Sequence, residues 1–171
     1  MPSVNITLTR DALAPGLLRS VVRELIDEFL DCHGGARTRE VRSLTVSARV
    51  VEIDADKYFI CGDVAEKPRY EIEFVTFPNV LDAPTKQRLA ERATEIVRRA
   101  DSFPSIEEDD RIWCFFREIA DGDWASGGVI YTSRDVVRWL ARRSQTNRRR
   151  KEPAAAEVEI QSSRAALEAP V

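Results

Sequence analysis

The side chains best suited to chemistry in this sequence are arginines and aromatic residues in two stretches of alternating pattern. Arg49 lies in the first stretch, and the second carries Trp113, Phe115 and Arg117 at every second position. A guanidinium group binds a carboxylate through two parallel hydrogen bonds. Large aromatic side chains beside arginines on an uncovered sheet face indicate either a ligand surface or burial by other subunits. Both interpretations remain open at this point.

Metal-binding and disulfide chemistry find no support in the sequence. Its three cysteines, Cys32, Cys61 and Cys114, lie far apart and form no CxxC pair, and His33 is the single histidine. An odd number of scattered cysteines indicates neither a disulfide framework nor a zinc site. Such cysteines are typical of the reducing cytosol. We therefore expect no metal ion and a cytoplasmic location.

Length and composition indicate one globular domain or two short fused units. The chain has 171 residues, of which 43% are hydrophobic and 32% charged. Its 26 Lys and Arg against 29 Asp and Glu give a formal net charge of -3, which argues against binding to nucleic acid through bulk charge. No apolar run approaches the roughly 20 residues that cross a bilayer, and the first residues do not resemble a signal peptide. We expect no nucleic-acid partner and no membrane partner.

Two strand–helix–strand units follow one another along the chain. Val4, Ile6 and Leu8 alternate with polar residues, which predicts a half-buried strand. Apolar residues at three- and four-residue spacing from Leu18 to Phe29 predict an amphipathic helix, and SLTVSARVVEI predicts a second strand. The same order recurs in the second half, with a strand in RYEIEFVTF, a helix in the region of residues 89–100 and a strand in RIWCFFREI.

A local duplication links the two halves. VVEIDADKY at residues 50–58 is similar to FREIADGDW at residues 116–124, since both contain Glu-Ile, then Asp, then an aromatic residue. Two repeats of this kind predict an α+β fold: two fused β-α-β units forming one four-stranded sheet with both helices on one face. The opposite face, which carries Arg49 and Phe115, is then left uncovered.

The predicted boundaries follow from these repeats and from a change of composition near the end of the chain. The folded domain is expected to span residues 2–143, with repeat one at about 2–62, repeat two at about 69–131 and a short helix at about 133–143. Residues 144–171 are polar and rich in alanine, which predicts a disordered tail.

Three segments resemble a known family. RIWCFFREIADGDWASGGVIYTSRD is similar to the IW-x-aromatic-F-x-E strand of cis-chloroacrylic acid dehalogenases and to the DxDW segment of malonate semialdehyde decarboxylases. KYFICGD is similar to the hairpin after the second strand of oxalocrotonate tautomerase. With a proline directly after Met1 and a doubled β-α-β unit, the chain resembles the tautomerase superfamily over residues 2 to about 140. The resemblance implies a homotrimer that needs no cofactor.

The resemblance also implies that Pro2 is the catalytic residue once Met1 is removed. A free α-amino group titrates near about 7.7–8, and partial burial beside arginines lowers its pKa toward neutrality. The neutral amine can abstract a proton next to a carbonyl, and the protonated amine can return one. The structural alternative is that proline at this position only permits removal of Met1 and begins a strand. A retained Met1 would leave an amide nitrogen without basicity.

The remaining site residues also come from the resemblance. Arg49 matches the second-strand arginine of oxalocrotonate tautomerase within a one-residue gap and is expected to hold the substrate carboxylate. Arg10 lies close to where the family places another carboxylate-binding arginine, and Arg117 shares the face of Arg49 through the repeat. Each could instead form an ion pair at a subunit contact. Aromatic residues that could line an apolar pocket, or simply pack, complete the set: Phe59, Phe115 and Trp124.

Four departures from the specialised relatives narrow the expected chemistry. Phe29 stands where the dehalogenases carry a histidine, Phe115 where they carry a tyrosine, and Ser126 where they carry a water-activating glutamate. VTFPNVLDAP lacks the arginine pair that dehalogenases and decarboxylases share. His33 lies one helical turn beyond the histidine position. We therefore predict an enzyme that uses Pro2 as base and then acid on a small 2-oxo or enol carboxylic acid.

Two alternatives remain beside that prediction. The first changes the chemistry to hydration, dehalogenation or decarboxylation of a three-carbon acid. The second is a non-catalytic ligand-binding protein of the same fold, which the missing accessory residues favour and the proline at position two opposes.

Overall fold

The computed structural model describes residues 2–32, 46–101 and 106–136, together with residues 138 and 142. Short 3₁₀ turns at Ala55–Lys57 and Ile106–Arg111 precede two of its strands. Its strands and helices in chain order are β1 (Ser3–Thr9), α1 (Pro15–Cys32), β2 (Ser47–Ile53), β3 (Phe59–Ile60), β4 (Asp63–Val64), β5 (Tyr70–Thr76), α2 (Ala83–Asp101), β6 (Ile112–Glu118), β7 (Trp124–Ser126) and β8 (Val129–Tyr131).

The chain divides into two compact units, residues 1–130 and 131–171, and the sheet and both long helices lie in the first. In the second unit, residues 133–136 are helical, and the Asp135 carboxylate accepts hydrogen bonds from the Thr132 backbone N–H and hydroxyl at 3.0 and 2.7 Å. The predicted tail at 144–171 and His33 lie outside the described residues. None of the helices in the described ranges is long and apolar enough to cross a membrane.

Four strands form one mixed sheet in the order β2-β1-β5-β6. Strand β1 is parallel to β2, and β5 is parallel to β6, so each pair is joined by a crossover that contains a helix. The two β-α-β units, both within residues 1–130, are joined by antiparallel pairing of their first strands, β1 and β5. The predicted fold of two fused β-α-β units is confirmed.

Both helices cover the same face of the sheet. The core lies on that face, to which the alternating apolar residues of β1 point, as predicted. The rings of Phe29, Phe74 and Phe116 lie at the centre of this layer, with centroids 5.2 Å apart for the first pair and 5.6 Å for the second. The buried side chains include, on the strands, Val4, Ile6, Leu8, Ile72 and Phe74, and, on the helices, Val21, Leu25, Phe29, Leu89, Ala93, Ile96 and Val97.

The opposite face is open and organised in rows across the strands. The strand register places Arg49, Asn5, Glu73 and Phe115 side by side in one row. The rings of Trp113 and Phe115 meet edge to face at 6.4 Å, and each side chain is 45% exposed. The expected open face with arginines and aromatic residues is therefore present; we refer to it as the open face.

Two tight hairpins extend from the sheet. Strands β3 and β4 are joined by Cys61 and Gly62, with φ of 53° and 97°, and β7 and β8 by Gly127 and Gly128, with φ of 59° and 79°. Positive φ at both central residues matches the two-residue turns that suit the twist of antiparallel strands. The first hairpin lies where KYFICGD predicts one.

Candidate active site

Pro2 is buried immediately before β1, which is one of the two central strands of the sheet. Its carbonyl oxygen accepts a hydrogen bond from the Ser47 backbone N–H at 3.3 Å. Because Ser3 pairs with Val75, continuing the register by one residue places Pro2 beside Thr76, which is also buried. Pro2 is thus held between β2 and β5 and withdrawn from water.

Trp124 lies at the same end of the sheet as Pro2. Its ring meets the buried ring of Phe77, the residue after Thr76, edge to face at 6.1 Å. On the other side of Thr76, Glu118 at the end of β6 forms an ion pair with Lys86 of α2 at 3.0 Å. Trp124 is therefore the predicted aromatic residue nearest to the Pro2 end of the sheet.

Arg49 and Arg117 share the open face but lie on opposite edges of the sheet. Arg117 Nη2 forms an ion pair with Glu73 Oε1 at 2.5 Å, and Asn5 Nδ2 donates to the other oxygen of Glu73 at 2.7 Å. Three inter-strand spacings of about 4.8 Å lie between β2 and β6, so their backbones are about 14 Å apart. The two arginines of a single chain are therefore not neighbours in the sheet. Arg49 is exposed, and within the described ranges no carboxylate forms an ion pair with it.

Arg10 and Pro2 lie at opposite ends of β1. The strand between them has seven residues, and at a rise of about 3.3 Å per residue their Cα atoms are about 25 Å apart. Arg10 Nε donates a hydrogen bond of 2.6 Å to Asp54 Oδ1, and Lys57 Nζ binds the other carboxylate oxygen of Asp54. These two hydrogen bonds, from Lys57 and Arg10, hold the pKa of Asp54 below its usual value. We call Arg10, Asp54 and Lys57 the Arg10 cluster.

Phe59 lies at the same end of the sheet as the Arg10 cluster, and not at the Pro2 end. It follows the 3₁₀ turn that carries Lys57, and its side chain is 56% exposed. The preceding Tyr58 is buried and donates a hydrogen bond of 2.6 Å to Glu71 Oε1 on β5. Burial, with the added effect of Glu71, raises the pKa of Tyr58 to about 12. Tyr58 therefore anchors this turn to the sheet as a neutral phenol.

The structure places the predicted site residues in three groups. Pro2 and Trp124 lie at one end of the sheet, while Arg10 and Phe59 lie at the other. Arg49 and Phe115 lie on the open face between them, and Arg117, in the row of Ser3, lies on that face toward the Pro2 end.

Sequence reasoning did not find Asp54 and Lys57. Their three-residue spacing in DADK is typical of a turn. The bond from Arg10 to Asp54, however, joins residues 44 positions apart and leaves no local signal.

Two further kinds of site would need, within the described ranges, a metal-binding cluster or a reactive thiol such as that of Cys114. In the part of the chain that the structure describes, no group of His, Cys, Asp and Glu side chains could hold a metal ion. Burial raises the pKa of Cys114 to about 11, so its thiol stays protonated near neutral pH and is a poor nucleophile.

Similarity to known proteins is found at the level of structure. No family model and no curated protein matches the sequence. Among solved structures, N1 of the cis-3-chloroacrylic acid dehalogenase family is 19% identical, with 75% of this chain and 82% of that chain covered and a TM-score of 0.60. The chain has the tautomerase fold.

Two further structures with the tautomerase fold match over most of their length. A fused 4-OT, an asymmetric trimer, is 18% identical, with 78% of this chain and 98% of that chain covered and a TM-score of 0.61. Pt0534, inactivated by 2-oxo-3-pentynoate, is 12% identical, with 75% and 94% covered and a TM-score of 0.61. At these identities, the similarity concerns the tautomerase fold.

Proposed function

We propose that the chain is an enzyme in which Pro2, freed by removal of Met1, transfers protons on a small 2-oxo or enol carboxylic acid. The observation that carries the proposal is the burial of Pro2 between β2 and β5 at the start of the central strand of a tautomerase fold. Burial disfavours the protonated form of an amine, so removal of Met1 would leave the secondary amine of Pro2 at this place as a base. Pt0534, with the same fold, is inactivated by 2-oxo-3-pentynoate, a 2-oxo acid.

The proposed reaction is a proton shift within one conjugated acid. The neutral Pro2 nitrogen removes a proton from one end of the conjugated system, which leaves an enolate and a prolinium ion. The prolinium ion then returns the proton to another atom of the same system, so that the amine is regenerated and no cofactor is consumed. Arg49 is the proposed partner of the carboxylate, and a cation beside the enolate stabilises its developing charge.

A complete site of this kind needs more than one chain. Arg10 lies about 25 Å from Pro2 along β1 of its own chain, so a site that contains both residues must combine two protomers. We propose that the assembly is a homotrimer, as in the fused 4-OT structures. Assembly would also cover Trp113 and Phe115, which are half-exposed on the open face.

The homotrimer is tested by light scattering. The expected mass is about 58 kDa, three times the 19.4 kDa of the chain, and it should persist at micromolar concentration because the open face offers a large partly apolar surface. Phe115→Glu should shift the mass toward that of a monomer, whereas Leu17→Glu, on the outer surface of α1, should not. A monomer mass for the unmodified protein would contradict the proposed assembly.

Turnover of cis-chloroacrylate is expected to be absent or very slow. Phe29, at the position of the dehalogenase histidine, is fully buried against Phe74 in the core. Ser126, at the position of the glutamate, has no carboxylate with which to activate water. Chloride release measured with a selective electrode, beside a cis-3-chloroacrylic acid dehalogenase as the positive control, checks this. Efficient release would mean that another group activates water.

The proposed function itself is tested by two measurements on one preparation. Intact mass shows whether Met1 is absent, and ultraviolet absorbance follows ketonisation of phenylenolpyruvate, an enol carboxylic acid. We expect low but measurable turnover by the processed protein. Absence of turnover in protein whose mass lacks Met1 would contradict the proposal.

A further inference from the structure

The Arg10 cluster lies where β1 and β2 end together. The Arg10 backbone N–H donates to the Ile53 carbonyl at 2.7 Å, which fixes the two chain segments side by side. Asp54 follows directly, and the 3₁₀ turn Ala55–Lys57 returns the chain so that the Lys57 backbone N–H donates to the Asp54 carbonyl at 2.8 Å. Backbone hydrogen bonds thus position all three charged side chains.

One carboxylate holds two cations in this cluster. Asp54 Oδ1 lies 2.6 Å from Arg10 Nε, and its other oxygen binds Lys57 Nζ. Two positive charges at such short range repel each other. An anion between them offsets that repulsion, so Asp54 is the group that keeps Arg10 and Lys57 directed at the same place.

Both cations retain donors for a second carboxylate. Arg10 uses its Nε for Asp54, and a guanidinium has five N–H donors, so its two terminal amino groups remain available for a further anion. The ammonium of Lys57 has three donors. The Arg10 side chain is 53% exposed and that of Lys57 is 66% exposed, so a solute can reach both. Asp11 and Glu52 also act on Arg10, and Asp56 acts on Lys57, so a second carboxylate is held here by direct hydrogen bonds from the two cations and not by a net positive charge.

The two residues that follow Lys57 are a buried anchor and an exposed aromatic ring. Tyr58, next to Lys57, is buried and hydrogen-bonded to Glu71 on β5 at 2.6 Å. Phe59, the following residue, presents an exposed ring. A small acid with a short apolar body matches that combination of charge and apolar surface.

We infer that Lys57 is a second carboxylate-binding cation beside Arg10, and that Asp54 is a positioning residue that holds the pair for the substrate carboxylate. The inference takes the class of ligand from the proposed function. It adds Lys57 and Asp54, neither of which the sequence pattern indicated, to the binding site.

Binding is measured first in a Pro2→Ala background, where turnover cannot interfere. Pyruvate is titrated at low ionic strength while the Arg10 Nε–Hε resonance is followed by NMR. We expect Lys57→Gln and Asp54→Ala each to weaken pyruvate binding about tenfold, the order of one charge-assisted hydrogen bond. Asp54→Glu should restore binding, and Arg23→Gln, which removes an equal charge from the exposed surface of α1, should leave it unchanged.

Kinetics in the active protein separate positioning from a structural role. Lys57→Gln and Asp54→Ala should raise KM with kcat unchanged, because a cation that binds the carboxylate does so equally in the ground state and in the transition state. Tighter pyruvate binding by Asp54→Ala would show that Asp54 blocks the site, and unchanged binding by Lys57→Gln would remove Lys57 from it; either result overturns the inference. Pyruvate binding with these variant effects but without turnover by the unmodified protein would overturn the proposed function alone.

Discussion

Replacement of Pro2 by alanine is expected to lower kcat for ketonisation about 10²–10⁴-fold, the usual loss when a general base is removed. The reason is its proposed role, since the Pro2 nitrogen makes and breaks the bonds to the transferred proton. Arg49→Ala should cause a smaller loss, because a carboxylate-binding arginine contributes affinity and charge stabilisation and not the proton transfer itself. Initial rates over a range of substrate concentrations measure both variants.

Alanine at position two is also the control for processing. It still permits removal of Met1 and leaves a primary amine at the same place, so the comparison tests the basicity and placement of the proline. Intact mass of each variant must show that Met1 is absent. Equal kcat for Pro2→Ala and the unmodified protein, with Met1 removed in both, would exclude the proposed mechanism and favour a binding function.

Phe74→Ala should cost about 3–5 kcal/mol of unfolding free energy, as for other fully buried phenylalanines. Phe74 is 0% exposed and lies between the rings of Phe29 and Phe116. Its removal would leave a cavity between both helices and the sheet. Urea unfolding followed by circular dichroism measures the change, at a fixed protein concentration because assembly contributes to stability.

The matched control removes the same side chain from an exposed position. Phe59 is 56% exposed on the β3–β4 hairpin, so Phe59→Ala should change the unfolding free energy by no more than about 0.5 kcal/mol. Similar losses for the two variants would contradict the described core, in which only one of these rings is enclosed.

The sequence predicts the elements of this fold well because burial repeats along each of them. The alternation of Val4, Ile6 and Leu8 marks the buried face of β1, and the duplication marks the second β-α-β unit. The order of the strands in the sheet is not predicted in this way, because alternation within one strand does not indicate which strand lies beside it. The antiparallel pairing of β1 with β5 joins residues about 70 positions apart and is known only from the structure.

The candidate site is less accessible to sequence reasoning. Arg49 and Phe115 were placed on one face from strand parity alone, and the register puts them in one row. The ion pair of Arg117 with Glu73 and the bond of Arg10 to Asp54 depend on how distant segments meet. A resemblance can supply the names of such residues, but only the structure shows that Pro2 and Arg10 of a single chain lie at opposite ends of β1.

The burial of Pro2 between two strands has a consequence for the order of events during synthesis. An aminopeptidase needs an accessible chain end to remove Met1, and the folded protein encloses the next residue. The enclosing strand β5 ends at Thr76, so the ribosome must add roughly 70 further residues before β1 can be enclosed, which takes about 4–15 s at usual rates of translation. The chain end therefore stays open to processing for at least that interval, and under the proposed mechanism a chain that keeps Met1 remains inactive.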